Sequence, residues 1–280
     1  MYDRIKKTAD FIKTKISLQP ETGIILGTGL GGLTTKITDQ QILQYSDIPE
    51  FPVSTVKGHE GRLIFGKLSS ANIVAMQGRF HYYEGYRMEQ ITFPVRLMKE
   101  LGVKRLFVSN ASGGLNSKYE IGTLMIISDH INLLPNPLIG QNDDRLGLRF
   151  PDMSHPYDLS LIDLACEVAQ QHSIKIEKGV YVGTTGPTFE TPAEYKYFRL
   201  IGGDAIGMST VPEVIVARHA GLPVFGISIV TDIGVEGRIV EVSHEDVQKE
   251  GAKAEIKMTT IISGMLDKIH HCQSEINIVE

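Results

Sequence analysis

Short apolar runs alternate with segments of helical periodicity along almost the whole chain. Runs typical of buried strands lie at 23–26, 73–76, 105–108, 123–127, 180–182 and 224–230. Segments with apolar residues at helical spacing lie at 4–16, 90–101, 158–172, 191–202 and 211–220. Because strands that alternate with helices form layered sheets, the sequence predicts an α/β fold with a mixed or mostly parallel sheet.

The chain has no internal repeat, low-complexity tract or linker-like segment, which predicts one domain over residues 1–280. Its 280 residues, 42% hydrophobic and 22% charged, are enough for one large core or two small ones. The segment 135–156, rich in Pro, Asn, Asp and Gly, is predicted to be a long loop, and loops of that length are usually functional.

The charge and cysteine content exclude several classes of function. A net charge of −5 provides no basic field for a nucleic-acid backbone, so the partner should be a small molecule. The two cysteines, Cys166 and Cys272, are too far apart in sequence for a zinc motif or a disulfide framework. The first residues lack the apolar core of a signal peptide, and there is no run of about 18 apolar residues. We therefore expect a cytoplasmic protein that does not cross a membrane.

A glycine-rich segment, Gly27-Thr28-Gly29-Leu30-Gly31-Gly32, follows the first predicted strand. It formally contains the dinucleotide fingerprint, but that motif needs a helix directly after the glycines and a second strand ending in an acidic residue. The polar, β-branched residues 33–38 and the poor strand 47–52 do not fit this requirement. The same turn can instead surround an oxyanion with backbone N–H groups and the Thr28 hydroxyl, or be a purely structural tight turn.

Three further segments place polar or aromatic groups after predicted strands or in turns. Arg79 and His81 follow the strand 73–76, where a guanidinium can hold an oxyanion in two places. A β-rich run from Val180 ends with Phe189 beside Glu190, a ring that can stack on a flat heterocycle and an acceptor for its N–H groups. A Gly-bounded turn then sets Met208 beside Ser209.

Several longer blocks resemble the trimeric, low-molecular-mass purine nucleoside phosphorylases, bacterial type. They are Gly58-His59-Glu60-Gly61-Arg62-Leu63, residues 76–86, Ser109-Asn110-Ala111-Ser112-Gly113-Gly114-Leu115-Asn116, Arg149-Phe150-Pro151-Asp152-Met153-Ser154, and the segments 180–195 and 204–213. The resemblance covers about residues 3 to 265. It implies a three-layer α/β/α fold and reversible phosphorolysis of inosine and guanosine, including deoxy forms, to the free purine and ribose 1-phosphate. It also implies purine salvage, a homotrimer, no metal or organic cofactor, and inorganic phosphate as co-substrate.

The resemblance also assigns site residues. It implies phosphate binding by Thr28, His59, Arg79, His81, Ala111 and Ser209. It implies nucleoside binding by Tyr83, Phe150, Phe189, Glu190, Ile206, Met208, Asp232 and His244. Phe150 is expected to reach into the neighbouring subunit's sugar site. Asp232, His81 and Glu190 are the candidate catalytic residues, with Asp232 as a possible donor of the purine N7 proton and Glu190 holding the base.

Asp232 departs from the family pattern, in which many members carry an asparagine at this place. An ionised aspartate only accepts hydrogen bonds, which favours a 6-amino group or a protonated N7 over a purine O6. S-methyl-5′-thioadenosine phosphorylases carry an aspartate there, and this activity is the alternative. Glu190 and His244 oppose it, because the resemblance assigns them to N1–H of a 6-oxopurine and to the ribose 5′-hydroxyl. A nucleoside-binding protein without catalysis is a third possibility, which the retained Arg79, His59 and Ser209 disfavour.

Overall fold

The computed structural model describes residues 1–28, 30–56 and 60–279, with side chains as far as His271. In this part of the chain the strands are β1 (Thr22–Leu26), β2 (Thr38–Gln44), β3 (Arg62–Leu68), β4 (Ala71–Gln77), β5 (Arg105–Gly114), β6 (Leu124–Asn132), β7 (Ile176–Gly183), β8 (Ala205–Gly207) and β9 (Val224–Ile233). The α-helices are α1 (Tyr2–Lys13), α2 (Met88–Glu100), α3 (Leu159–Gln171), α4 (Pro192–Leu200), α5 (Val211–His219) and α6 (His244–Val279). Short 3₁₀ helices span Gly31–Lys36, Tyr45–Asp47 and Tyr82–Glu84.

One mixed sheet connects these strands in the order β2-β3-β4-β1-β5-β8-β7-β6-β9. Parallel pairings join β1 to β4 and β5, β5 to β9, β6 to β7 and β7 to β8, and the other pairings are antiparallel. Because β9 also pairs with β5, the last five strands close into a ring. The predicted α/β fold around a mixed sheet is confirmed. The sequence pattern did not predict that five of the strands close into a ring.

The most buried strands carry the site at their carboxyl ends. All five residues of β1 and all ten of β9 are buried, as expected for strands covered on both faces. Apart from the buried Ser228, the β9 sequence is apolar until its end, where Thr231 and Asp232 are buried polar residues. Helix α6 packs against β9 and the 3₁₀ helix Gly31–Lys36, so it brings its first residue, His244, to the same edge. None of the described helices combines the length and apolar character needed to span a bilayer.

Helix starts follow the local signals in the sequence. Thr191 accepts a hydrogen bond from the Glu194 N–H, the Glu194 side chain bonds back, and Pro192 occupies the first helical position of α4. Ser243 accepts from the Asp246 N–H at the start of α6. The four helical patterns from 90 to 220 are confirmed, with ends that differ by at most two residues from the predicted ones.

Three strands were not predicted, and the reasons differ. β2 lies at an edge of the sheet with mostly exposed residues, so no apolar run marks it. β8 has only three residues, and β3 begins at Arg62, inside the block 58–63 whose glycines and polar residues give no strand pattern. The segment 31–36 is a 3₁₀ helix, and the next strand is β2, antiparallel to β3 rather than parallel to β1. The dinucleotide-binding unit is therefore not formed.

Candidate active site

A cavity of about 310 Å³ opens where the carboxyl ends of β1, β4, β5 and β9 meet the start of α6. This is the edge at which α/β sheets usually bind ligands. Of the predicted site residues that the structure describes, it brings all except Phe150 together there: Thr28, Arg79, His81, Tyr83, Ala111, Phe189, Glu190, Ile206, Met208, Ser209, Asp232 and His244.

Arg79 lies on one side of the cavity and is held by several protein groups. It is 1% exposed, and its Nη1 donates to the Ser109 carbonyl over 2.8 Å and to the Ser209 hydroxyl over 3.1 Å. Its Nε lies 3.0 Å from Glu213 Oε1, and both side chains are almost fully buried. The guanidinium is therefore fixed by a buried ion pair, with its charge beside the Ser209 hydroxyl.

The turn that carries Ser209 has a strained backbone. Thr210 has φ 71° and ψ −52°, and the Val211 N–H donates to the Ser209 carbonyl over 2.7 Å, which defines a γ-turn. A positive φ is unusual for a β-branched residue. The Asn110 amide donates to the Thr210 hydroxyl over 2.8 Å, and Ser228 donates to Asn110. These buried hydrogen bonds hold the turn and aim Ser209 toward Arg79.

His81 is part of a small polar unit on the same side. Its Nδ1 lies 2.9 Å from Glu84 Oε1, and its ring stacks on Tyr83 with centroids 4.7 Å apart. Burial lowers the pKa of His81 despite the neighbouring carboxylate. Because an ionised carboxylate only accepts, Nδ1 carries the proton, and the tautomer of the ring is set by Glu84. The sequence prediction missed Glu84, although its spacing of three residues from His81 was visible.

Two carboxyl groups lie at the other end of the cavity. Asp232 is 5% exposed, and its Oδ2 accepts from the Tyr195 hydroxyl over 3.3 Å. Burial raises the pKa of Asp232, with hydroxyl groups of Thr231 and Tyr195 opposing the shift. Burial, with the nearby Asp232 charge, raises the pKa of Glu190 to about 7. A single proton can therefore be held by this pair near neutral pH.

Apolar residues form the walls between the two ends. Phe189 and Ile206 line the cavity beside the carboxyl groups, and Met208 lies next to Ser209 in the turn. His244 enters from the start of α6, where the Gln248 side chain lies 3.2 Å from its Nε2. The cavity thus combines an oxyanion side, an apolar slot and a carboxyl end, which suits a flat heterocycle attached to a polar group.

Comparisons with known proteins give the family. A model of the Phosphorylase superfamily matches residues 21–267. Purine nucleoside phosphorylase 1 of Bacillus subtilis (strain 168) is 50% identical over 267 residues, which cover 95% of this chain and 98% of that protein. The chain belongs to the purine nucleoside phosphorylase family. The resemblance drawn from the sequence blocks, including its bacterial type, is thereby confirmed.

Other relatives also match over nearly the whole length of the chain. The purine nucleoside phosphorylase of Rattus norvegicus is 46% identical over 276 residues, covering 96% of each chain. Among solved structures, the Schistosoma mansoni purine nucleoside phosphorylase in complex with inosine is 42% identical, with a TM-score of 0.90, and covers 95% of this chain and 96% of that one. The Schistosoma mansoni enzyme in complex with adenosine gives 43% identity and the same TM-score over 95% and 97%.

Two predicted site residues, His59 and Phe150, differ from the rest. His59 lies outside the described residues. Phe150 is 86% exposed on the long predicted loop, away from this chain's own cavity. Sequence reasoning in turn missed Glu213, Thr210 and Tyr195, which contact predicted residues. No local sequence pattern identifies these three residues, because each contacts its partner only in the folded chain. In the described part of the chain, no three His, Cys, Asp or Glu side chains are grouped as metal ligands.

Proposed function

We propose that the chain catalyses the reversible phosphorolysis of inosine and guanosine, releasing the free purine and ribose 1-phosphate. The observation that carries this proposal is a single cavity with a fixed guanidinium and hydroxyl side at one end and two carboxyl groups beside an aromatic ring at the other. Membership of the family supports it, as do the related structures in complex with inosine and with guanosine. Release of free purine places the reaction in purine salvage.

Phosphate binds on the Arg79 side. Arg79 and Ser209 hold its oxygens with charge-assisted hydrogen bonds. Thr28 and the Ala111 N–H add donors from the glycine-rich turn and from β5, and His81 faces the same space with its tautomer set by Glu84. The bound phosphate supplies both the nucleophile and an anion close to the sugar carbon.

The purine occupies the slot between Phe189 and Ile206, where aromatic stacking and apolar contact bind a flat ring. Glu190 faces N1, and Asp232 faces position 6 and N7. Tyr83 and Met208 contact the ribose, and His244 bonds its 5′-hydroxyl. Phe150 extends into the sugar site of a neighbouring subunit in a homotrimer, which accounts for a large aromatic ring that is 86% exposed on the single chain.

Cleavage of the glycosidic bond develops positive charge on the ribose and negative charge on the purine. The phosphate dianion stabilises the first, and a proton delivered to N7 neutralises the second. Asp232 holds that proton when it is protonated, since burial raises its pKa. This chemistry needs no metal or organic cofactor, only phosphate as co-substrate.

A phosphorolysis assay tests the proposal. Purified protein with inosine or guanosine and inorganic phosphate should release hypoxanthine or guanine together with ribose 1-phosphate, measured by chromatography. Omitting phosphate should stop the release. Binding of inosine without release would indicate a non-catalytic protein. Preference for 5′-methylthioadenosine over inosine would indicate the alternative activity, which Asp232 favours and His244 opposes.

A further inference from the structure

The long loop that carries Phe150 is anchored to the end of helix α5. His219, the last residue of α5, is 5% exposed, and its Nε2 lies 3.1 Å from Asn142 Oδ1 in the loop. Asn142 in turn donates from its Nδ2 to the Gly147 carbonyl over 3.0 Å. Phe150 follows Gly147 by three residues. One buried imidazole therefore connects α5 to the turn that precedes Phe150.

A second contact fixes the direction of the hydrogen bond between His219 and Asn142. The Nη1 of Arg96, on helix α2, lies 3.2 Å from His219 Nδ1. A guanidinium only donates, so Nδ1 accepts and the proton of the neutral ring lies on Nε2. Burial lowers the pKa of His219, as do the nearby charges of Arg96 and Arg149, which keeps the ring neutral. His219 therefore donates to Asn142 Oδ1.

The backbone of the loop also lies directly against α5. A Cβ at position 147 would lie 1.9 Å from the His219 carbonyl oxygen, so the close approach requires a glycine there. Gly147 has φ 151°, which other residues rarely adopt. The loop is also closed on itself by Arg149, whose Nη1 donates to the Leu138 carbonyl over 2.9 Å. The loop is therefore tied to α5 and to itself, while the Phe150 ring projects from it into solvent on the single chain.

Phe150 can contact a nucleoside in a neighbouring subunit only when the backbone that carries it is in place. A loop that is ordered before the ligand arrives binds it more tightly than one that must be ordered on binding, because the entropy cost is already met by the fold. We infer that His219 is a positioning residue for the neighbouring subunit's sugar site, acting on Phe150 through Asn142 and the loop. The inference rests on the proposed function for the placement of Phe150.

The other end of α5 lies at the phosphate side of this chain's own cavity. Glu213, in the first turn of α5, pairs with Arg79 over 3.0 Å. A substitution of His219 that loosened the whole helix would therefore weaken phosphate binding. A substitution that released only the loop would weaken nucleoside binding alone. The two Michaelis constants thus distinguish positioning of Phe150 from general damage to the helix.

The test compares two variants of His219 at neutral pH. Asparagine places its amide near the position of Nδ1, so it can still accept from Arg96 but is too short to reach Asn142. Glutamine places its N–H group near the position of Nε2, so it can still donate to Asn142. His219→Asn should raise the KM for inosine about fivefold, as expected for one lost hydrogen bond, and leave the KM for phosphate unchanged. His219→Gln should recover most of the loss.

The decisive measurement repeats His219→Asn in the background of Phe150→Ala. Because His219 acts through Phe150, it should change the KM for inosine by less than about twofold once the ring is absent, as coupled sites are not additive. His172→Asn, at an exposed histidine directly after α3, is the control and should leave both KM values unchanged. If His219→Asn does not fold, Asn142→Ala removes the same hydrogen bond from the side of the loop and takes its place in the comparison.

Four results would overturn the inference alone. They are an unchanged KM for inosine in His219→Asn, a His219→Gln variant that is equally impaired, additive effects of the His219 and Phe150 substitutions, and a KM for phosphate that rises as much as that for inosine. Failure of the proposed function is distinct. A wild type that cleaves no nucleoside in the presence of phosphate contradicts the proposed reaction, and a Phe150→Ala variant with a normal KM for inosine contradicts the shared sugar site. Either of these two results refutes the role of His219 as well.

Discussion

Replacement of Arg79 should change both the stability of the protein and its binding of phosphate, and the two effects can be measured separately. Arg79→Met keeps most of the side-chain volume but leaves the Glu213 carboxylate buried without its ion-pair partner, which lies 3.0 Å away in the native chain. Breaking a buried pair on one side costs about 3–5 kcal/mol of unfolding free energy. The unfolding entropy of 280 residues is about 0.6 kcal/mol per kelvin, so Tm should fall by roughly 5–8 °C.

The same variant should bind phosphate more weakly. A charge-assisted hydrogen bond contributes about 1.5–3 kcal/mol. At about 1.4 kcal/mol per tenfold, the KM for phosphate should rise roughly 10- to 150-fold. The KM for inosine should change much less, because Arg79 lies at the opposite end of the cavity from Glu190 and Asp232.

The double variant Arg79→Met/Glu213→Gln separates the two effects. It removes both charges, so most of the stability should return while the KM for phosphate stays high. Lys104→Met is the control for stability, because Lys104 forms an exposed pair with Glu21 at 2.7 Å and should cost at most about 1 kcal/mol. The reasoning is refuted if the double variant is no more stable than the single one. It is equally refuted if the double variant recovers normal phosphate binding.

Three further predictions concern other parts of the molecule. Phe150→Ala should raise the KM for inosine, because apolar contact worth about 1.5–3 kcal/mol is lost. The oligomer, followed by sedimentation, should stay intact. Full activity in a stable monomer would contradict this prediction. Glu255→Ala removes a buried carboxylate that accepts backbone N–H groups at positions 32 and 33, so steady-state kinetics should show a higher KM for phosphate and an unchanged KM for inosine. Burial alone would raise the pKa of Glu84, but hydrogen bonds, the largest from the His81 side chain, lower it to about 2. This group therefore stabilises the fold above pH about 4.5 and loses that contribution as pH falls toward 2, and Glu84→Gln should show a smaller acid-side loss in chemical unfolding.

Local signals predicted much of the fold because their causes are local. The fully buried β1 and β9 are apolar runs, and the caps at Thr191 and Ser243 are hydrogen bonds within one helical turn. The edge strand β2 was not predicted, because its mostly exposed residues show no apolar pattern. It forms a strand only by pairing with β3. The β5–β9 pairing that closes the sheet joins strands that are far apart in sequence, so no single segment predicts it.

The sequence by itself determined the fold class, the family and twelve of the residues that line the cavity, because blocks at the ends of strands carry those residue types together. The tertiary structure decided how these residues are held. The Arg79–Glu213 pair and the Tyr195 hydroxyl beside Asp232 join residues that are remote in sequence, 37 positions apart in the second case. Burial at these contacts shifts the protonation of Glu190 and Asp232, and burial depends on packing from every side rather than on neighbouring residues in the chain.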